Sequence, residues 1–215
     1  MSDSHTTEPP KADPTPLGIF SFAVTTVIAN LYNVGAGVPP GGGGDILQGF
    51  ALWYGGIVQI LAGMWCMHRG NTWDATAFSS FGAYWAAYGY MFFPGSGMVE
   101  SYASYPPEVL RNAKGTFLIV WALMAIILTV GAIRSTYSTI VMLLMLDVHL
   151  VAMSIYEFGH YDIGAWPQIL GGSFGLVCGL IAFWNGSAVF WAATNGHIHL
   201  PVGHVRRESK SGFIV

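Results

Sequence analysis

Phe22, Thr26, Asn30 and Asn33 follow one another at intervals of four, four and three residues inside the first long apolar stretch of the chain. On a helix of ~3.6 residues per turn that spacing stacks them along one face. The chemistry open to such a stripe is non-covalent: carboxamides and a hydroxyl exchange hydrogen bonds with whatever lies against them, and a ring blocks or admits it. Turned toward lipid the amides would be costly, so they point inward, either to bond neighbouring helices or to line a wet path. At the level of spacing alone both uses stay open.

Other apolar stretches supply matching groups. Gln48 and Gln59 are eleven residues apart, three helical turns, and flank the Gly55-Gly56 pair on approximately one face. Thr76, Ser79, Ser80, Phe81, Tyr84 and Tyr88 form a row of hydroxyls beside rings. Such hydroxyls also bond back to their own helix carbonyls, so the row by itself carries little weight. Asp147 sits mid-stretch, directly after Leu146 and two residues before His149. A carboxylate at the bilayer centre costs ~2.5–3.5 kcal/mol on insertion scales, so it must face the bundle interior, pair, or stay protonated. Its functional reading is proton coupling or gating; its structural reading is a neutral acid bonded to a nearby helix. Glu157, at the end of the same stretch, is expected to reach interfacial water.

Metal and catalytic chemistry find no support. His197, His199 and His204 in HIHLPVGH lack an acidic or thiol partner at a usual ligand spacing, so no metal site is expected. No phosphate loop, nucleophile with its base or nucleic-acid patch is visible, so the chain reads as a non-enzyme without a cofactor or nucleic-acid partner. Cys66 and Cys178 both fall in apolar stretches, where a thiol behaves as a small hydrophobe and nothing suggests a disulfide.

The elements that must position these residues are transmembrane helices. Charged residues make up 9% of the 215 and hydrophobic ones 53%, against roughly 25% charged in soluble domains, which leaves too little polar surface for a water-facing fold. Apolar runs near 17–37, 46–67, 75–93, 115–133, 138–158 and 166–193 each match the ~20 residues that a span needs. Helices are expected because every backbone group in hydrocarbon needs a partner within its own segment, and a barrel's alternating pattern is missing. The predicted fold is therefore an all-α membrane protein of six spans around a narrow path. It comprises a disordered tail over 1–13, a membrane domain over 14–196 and a C-terminal tail over 197–215. The segment PGSGMVESYASYPPEVLRN reads as the hinge before the fourth span, and no removable signal peptide is read at the N-terminus.

Basic residues set the orientation. With six spans both termini share a side, which holds Lys11, Arg69, Arg134, Arg206, Arg207 and Lys210, whereas the other holds Arg111 and Lys114. Both ends are expected in the cytoplasm. Gly171, Gly175 and Gly179 in the sixth span, and Gly55, Gly56 and Gly63 in the second, allow close helix approach, either within one protomer or between subunits.

PTPLG at Pro14 to Gly18 and FAVTTVIANLYNVG at Phe22 to Gly35 resemble the N-P-x-P-L-G signature and first helix of the acetate uptake transporter family, the succinate-acetate permeases. The likeness continues through YGGIVQILAGMW (Tyr54 to Trp65), RGNTWDATAFSSFGAYW (Arg69 to Trp85), GLVCGLIAFWNG (Gly175 to Gly186) and LPVG (Leu200 to Gly203). It spans almost the whole chain and is weakest over 94–112 and the fifth span.

The resemblance implies a six-helix protomer in a homo-hexamer of the plasma membrane. Each protomer would carry its own path for acetate and related short carboxylates, succinate among the candidates, with a proton as co-moving partner. Aligned with the family, the apolar constriction falls on Phe22, Phe81 and Leu146. Thr26, Asn30, Asn33, Gln59, Ser80 and Tyr84 become candidates for polar contacts to the carboxylate, and Asp147 for proton coupling. Three positions depart from the pattern: Asp13 stands where the signature has Asn, Phe81 where the family can have Tyr, and Asp147 directly beside the constriction. The alternatives are a channel for another small solute, such as formate, ammonia or water, and a membrane sensor or assembly protein that transports nothing.

Overall fold

The computed structural model describes residues 12–39 and 44–203, all of its regular structure helical. Helix α1 (Thr15–Asn33) begins after Pro14, with Pro16 in its first turn, where a missing N–H costs nothing. A second rod runs without a break through α2 (Gly44–Phe50), a π-helical stretch (Ala51–Val58) and α3 (Gln59–His68). Helix α4 (Thr72–Met91) is capped by the Asn71 side chain, which accepts from the Asp74 N–H. Helices α5 (Pro107–Gly131), α6 (Tyr137–Phe158) and α7 (Trp166–Asn195) complete the bundle. Thr136 caps α6 by accepting from the Thr139 N–H, and α7 stops at Gly196, whose φ of 61° is left-handed.

Five of these rods are long and apolar enough to cross a membrane: α1, Ile46–His68, α5, α6 and α7. Helix α4 falls short on hydropathy alone. Its 20 residues reach ~30 Å at 1.5 Å each, and its Ala75, Phe78, Phe81, Tyr84 and Trp85 are buried, so its hydroxyls sit in a helix that faces protein.

Helix α5 corrects the expected boundary. It starts at Pro107, not near 115, because PPEVLRN is two polar turns of helix with proline at the first position. A hydropathy window sees only the apolar part of a helix and reads such turns as loop.

Several glycines inside the helices face neighbours within the protomer. A Cβ on Gly179 would stand 2.6 Å from the Val27 side chain, and one on Gly175 would collide with the Asn30 carboxamide, so α7 and α1 approach as only glycine permits. A Cβ on Gly55 would likewise stand 2.6 Å from Thr25 Oγ1. Of the two roles expected for these glycines, packing within one protomer is the one observed. Helix α1 packs most extensively against α7, α6 against α7 and α5, and α3 against α4.

Outside this core the surface is greasy: Trp53, Leu61, Trp65, Leu123, Ile127 and Leu180 are all more than half exposed. So much apolar surface suits acyl chains rather than water. The two ends of the described chain meet at one end of the bundle. Arg69 bonds the Ala12 carbonyl and Asp13 at 3.0 and 3.1 Å, while the Gly203 carbonyl accepts from the Tyr137 N–H at 2.8 Å. Residues 200–203 thus fold back over the bundle, with the Pro201 carbonyl accepting from Trp184 Nε1. The rest of both expected tails, His204 included, lies outside the described residues.

Candidate functional site

Two cavities lie in line inside the bundle. The larger, about 920 Å³, opens at the end where the termini meet, and the smaller, about 80 Å³, lies toward the other end. Helices α1, α4 and α6 each wall both of them, changing from one cavity to the other over about two turns on α1 and about one turn on α4 and α6. On α1, Ile19 and Phe22 border the large cavity while Ala29 and Asn33 border the small one. On α4 the change falls between Phe81 and Tyr84, and on α6 between Leu146 and His149. Phe22, Phe81 and Leu146 are thus the innermost residues that these helices give to the large cavity.

All three are almost wholly buried, at 6%, 4% and 4% exposure. Phe22 and Phe81 meet edge to face with ring centroids 5.8 Å apart. Phe81 also tilts against Trp121 of α5 at 5.9 Å, and Tyr84 stacks on Phe117 at 5.2 Å. The partition between the cavities is an aromatic layer backed by α5.

The polar candidates divide into two groups. Gln59, the first residue after the π-helical stretch, lines the large cavity beside Phe22, and its buried Oε1 has no protein partner. Local π geometry is frequent at functional positions because it redirects one side chain without ending the helix. Asn33 and Tyr84 line the small cavity. Thr26, Asn30 and Ser80 line neither. Asn30 is fully buried: its Nδ2 donates to the Thr26 carbonyl at 2.8 Å, and its Oδ1 accepts from Asn33 Nδ2 at 3.1 Å. Thr26, between the cavities on α1, keeps a buried Oγ1 without a protein partner.

With this geometry the comparisons can be placed. The profile of the GPR1/FUN34/yaaH family matches residues 3–207. The chain belongs to that family. It is 33% identical to acetate permease A of Emericella nidulans over 201 residues, 90% of this chain and 66% of that one. To ammonia transport outward protein 2 of Saccharomyces cerevisiae it is 32% identical over 190 residues, 87% and 64% of the two chains. The chain therefore spans slightly less than two thirds of the length of these fungal relatives. The succinate-acetate/proton symporter SatP of Escherichia coli is 28% identical, over 89% of this chain and 95% of that one. The solved structure of the bacterial acetate channel SatP superposes with a TM-score of 0.77 at 27% identity, covering 90% of this chain and 100% of that one.

In this GPR1/FUN34/yaaH member Asp147 takes the place of its structural reading, bonded to a neighbouring helix, whereas Glu157 departs from expectation. Asp147 lines neither cavity; its Oδ2 lies 2.9 Å from Thr129 Oγ1, at the seam between α5 and α6. Glu157 does not reach interfacial water. It is 6% exposed and lines the small cavity, where its Oε1 is 2.7 Å from Lys114 Nζ and its Oε2 is 3.0 Å from Arg111 Nε.

Arg111 is anchored further by donating to the carbonyls of Tyr161 and Tyr156, at 2.8 and 2.7 Å, and by lying 4.7 Å over the Tyr156 ring. The sequence concealed this cluster because Arg111 lies in turns that read as a hinge, 46 residues from Glu157, and Lys114 lies just past them. The one local signal was Arg111 and Lys114 at i and i+3, on one face of any helix through them.

Proposed function

We propose that this chain crosses the plasma membrane six times with both termini in the cytoplasm, and that it passes acetate and related short carboxylates through a path in each protomer of a hexamer. The observation that carries this reading is the in-line pair of cavities, parted by the aromatic layer at Phe22, Phe81 and Leu146. A vestibule, a narrow apolar partition and a second chamber are the parts of a pore that admits small solutes and resists bulk water. The names borne by the Emericella and Escherichia relatives add the chemical class.

Carboxamides and hydroxyls near the partition offset part of the lost hydration, with Gln59 on the vestibule side, Asn33 and Tyr84 beyond it, and the Thr26 hydroxyl between. Among the described residues no fixed cation lies at the partition, so binding there is weak and turnover high. Asp147 serves helix packing in this scheme, its carboxyl clasped by Thr129 away from the path. The test is flux of labelled acetate into liposomes holding the purified protein, with and without a pH gradient. Competition by unlabelled succinate and formate reports the range. Flux equal to that of protein-free liposomes would refute the reading.

A second reading, passage of ammonia, has support in the name of the Saccharomyces relative. Ammonium-driven alkalinisation of a trapped dye, without acetate flux, would favour it.

A further inference from the structure

The small cavity holds a charge arrangement that the transport reading does not use. Two cations from α5, Arg111 and Lys114, converge on one carboxylate from α6, Glu157, so the cluster carries a formal excess of one positive charge. The two cations are held unequally. Arg111 keeps two backbone carbonyls and an aromatic face without Glu157, whereas Lys114 has the Glu157 Oε1 as its one ion-pair partner among the described residues. Lys114 is 26% exposed and lines the cavity, so its flexible ammonium can turn to a new acceptor without leaving the site. About 80 Å³ holds a few waters or one acetate-sized solute.

Resting on the transport reading, we infer that the Lys114–Glu157 pair is a proton-linked carboxylate station: a substrate carboxylate replaces Glu157 on Lys114 while Glu157 takes up one proton. A substrate arriving as the neutral acid gives its proton to Glu157 Oε1. The O–H bond of the acid breaks, its electron pair stays on the substrate carboxylate, and a new O–H bond forms on Glu157. The ammonium then pairs with the substrate anion in place of Glu157. Donor and acceptor of the proton are both carboxyl groups, and the charge within the cavity is unchanged. For an anion arriving alone, the proton that Glu157 takes up comes from solvent.

The other titratable groups around Glu157 are Tyr88 from α4, His149 and Tyr156 on α6 itself, and Tyr161 after it. His149 is fixed in one tautomer, since its Nδ1 lies 2.8 Å from the Gly171 carbonyl, which can only accept.

The test is calorimetric titration of the purified full-length protein with sodium acetate near neutral pH, in two buffers of different ionisation enthalpy. Wild type is expected to take up about one proton per acetate bound, so its affinity falls up to about tenfold per pH unit on the alkaline side. Glu157→Gln should bind acetate with no proton uptake and with affinity independent of pH. Lys114→Gln should weaken binding about tenfold or more, in keeping with loss of a charge-assisted contact. The double variant Lys114→Gln/Glu157→Gln, whose amides can still pair, should match Lys114→Gln and covers the case in which Glu157→Gln alone fails to fold. Undiminished proton uptake in a variant lacking Glu157, unaltered affinity in Lys114→Gln, or no acetate binding by wild type would each overturn the inference. Absence of liposome flux would instead overturn the transport reading and leave proton-linked binding to stand or fall on the titration.

Discussion

Phe22 of α1 and Phe81 of α4 meet edge to face, 5.8 Å between centroids and 61° between planes, where one internal cavity ends and the next begins. An aromatic pair in this geometry gains ~0.5–1.5 kcal/mol beyond its area burial, so the partition is held shut by its own contacts. Removing one ring opens it: Phe22→Ala should raise acetate flux in liposomes and admit bulkier acids such as benzoate. Leu146→Ala, on the facing helix, should act in the same direction and cost ~2–5 kcal/mol of stability from the vacated volume. Unaltered flux and unaltered selectivity in both variants would remove these residues from the path.

Gln59 lends itself to a cleaner substitution. Its buried Oε1 has no protein partner, so Gln59→Leu leaves no protein group unsatisfied at that atom and should change the thermal midpoint little. The KM for acetate should rise several-fold, with ~1 kcal/mol or more of binding lost. A normal KM would exclude Gln59 from the substrate's route.

Asp147 offers the converse case. Since its carboxyl lies 2.9 Å from Thr129 Oγ1 and borders neither cavity, Asp147→Asn keeps the contact and should leave the pH profile of acetate uptake as it is. A flattened profile in that variant would make Asp147 the proton carrier.

The seam between α1 and α7 depends on glycine. Gly175→Ala drives a methyl into the Asn30 carboxamide and should lower stability by ~1–3 kcal/mol, read as a fall in the thermal midpoint in detergent. Gly179→Ala, set against Val27, should add to it. Midpoints equal to wild type would mean that the seam is looser than described.

Much of the fold was legible because hydropathy reports burial in lipid directly, and the long apolar runs became the rods α1, α2 to α3, α5, α6 and α7. What remained hidden depended on partners distant in sequence. The spacing of Phe22, Thr26, Asn30 and Asn33 predicted one face but not that Asn30 would be consumed by the Thr26 carbonyl and Asn33. Glu157 read as a helix-end carboxylate near water because Arg111 lies in turns that hydropathy assigns to a hinge and Lys114 lies just past them. The π-helical stretch before Gln59 was not read from the sequence; within it Gly55 and Gly56 lie against Thr25 of α1 and Ala86 of α4.

The most direct test of the path uses a thiol placed at the partition. Cys66 and Cys178 are buried at 1% and 0% exposure, so the wild-type protein supplies a quiet background. Leu146→Cys reconstituted in liposomes should carry labelled acetate until a small charged thiol reagent modifies it through the large cavity, and flux should then fall to the protein-free level. Complete modification of that cysteine with acetate flux undiminished would contradict a route past Phe22, Phe81 and Leu146.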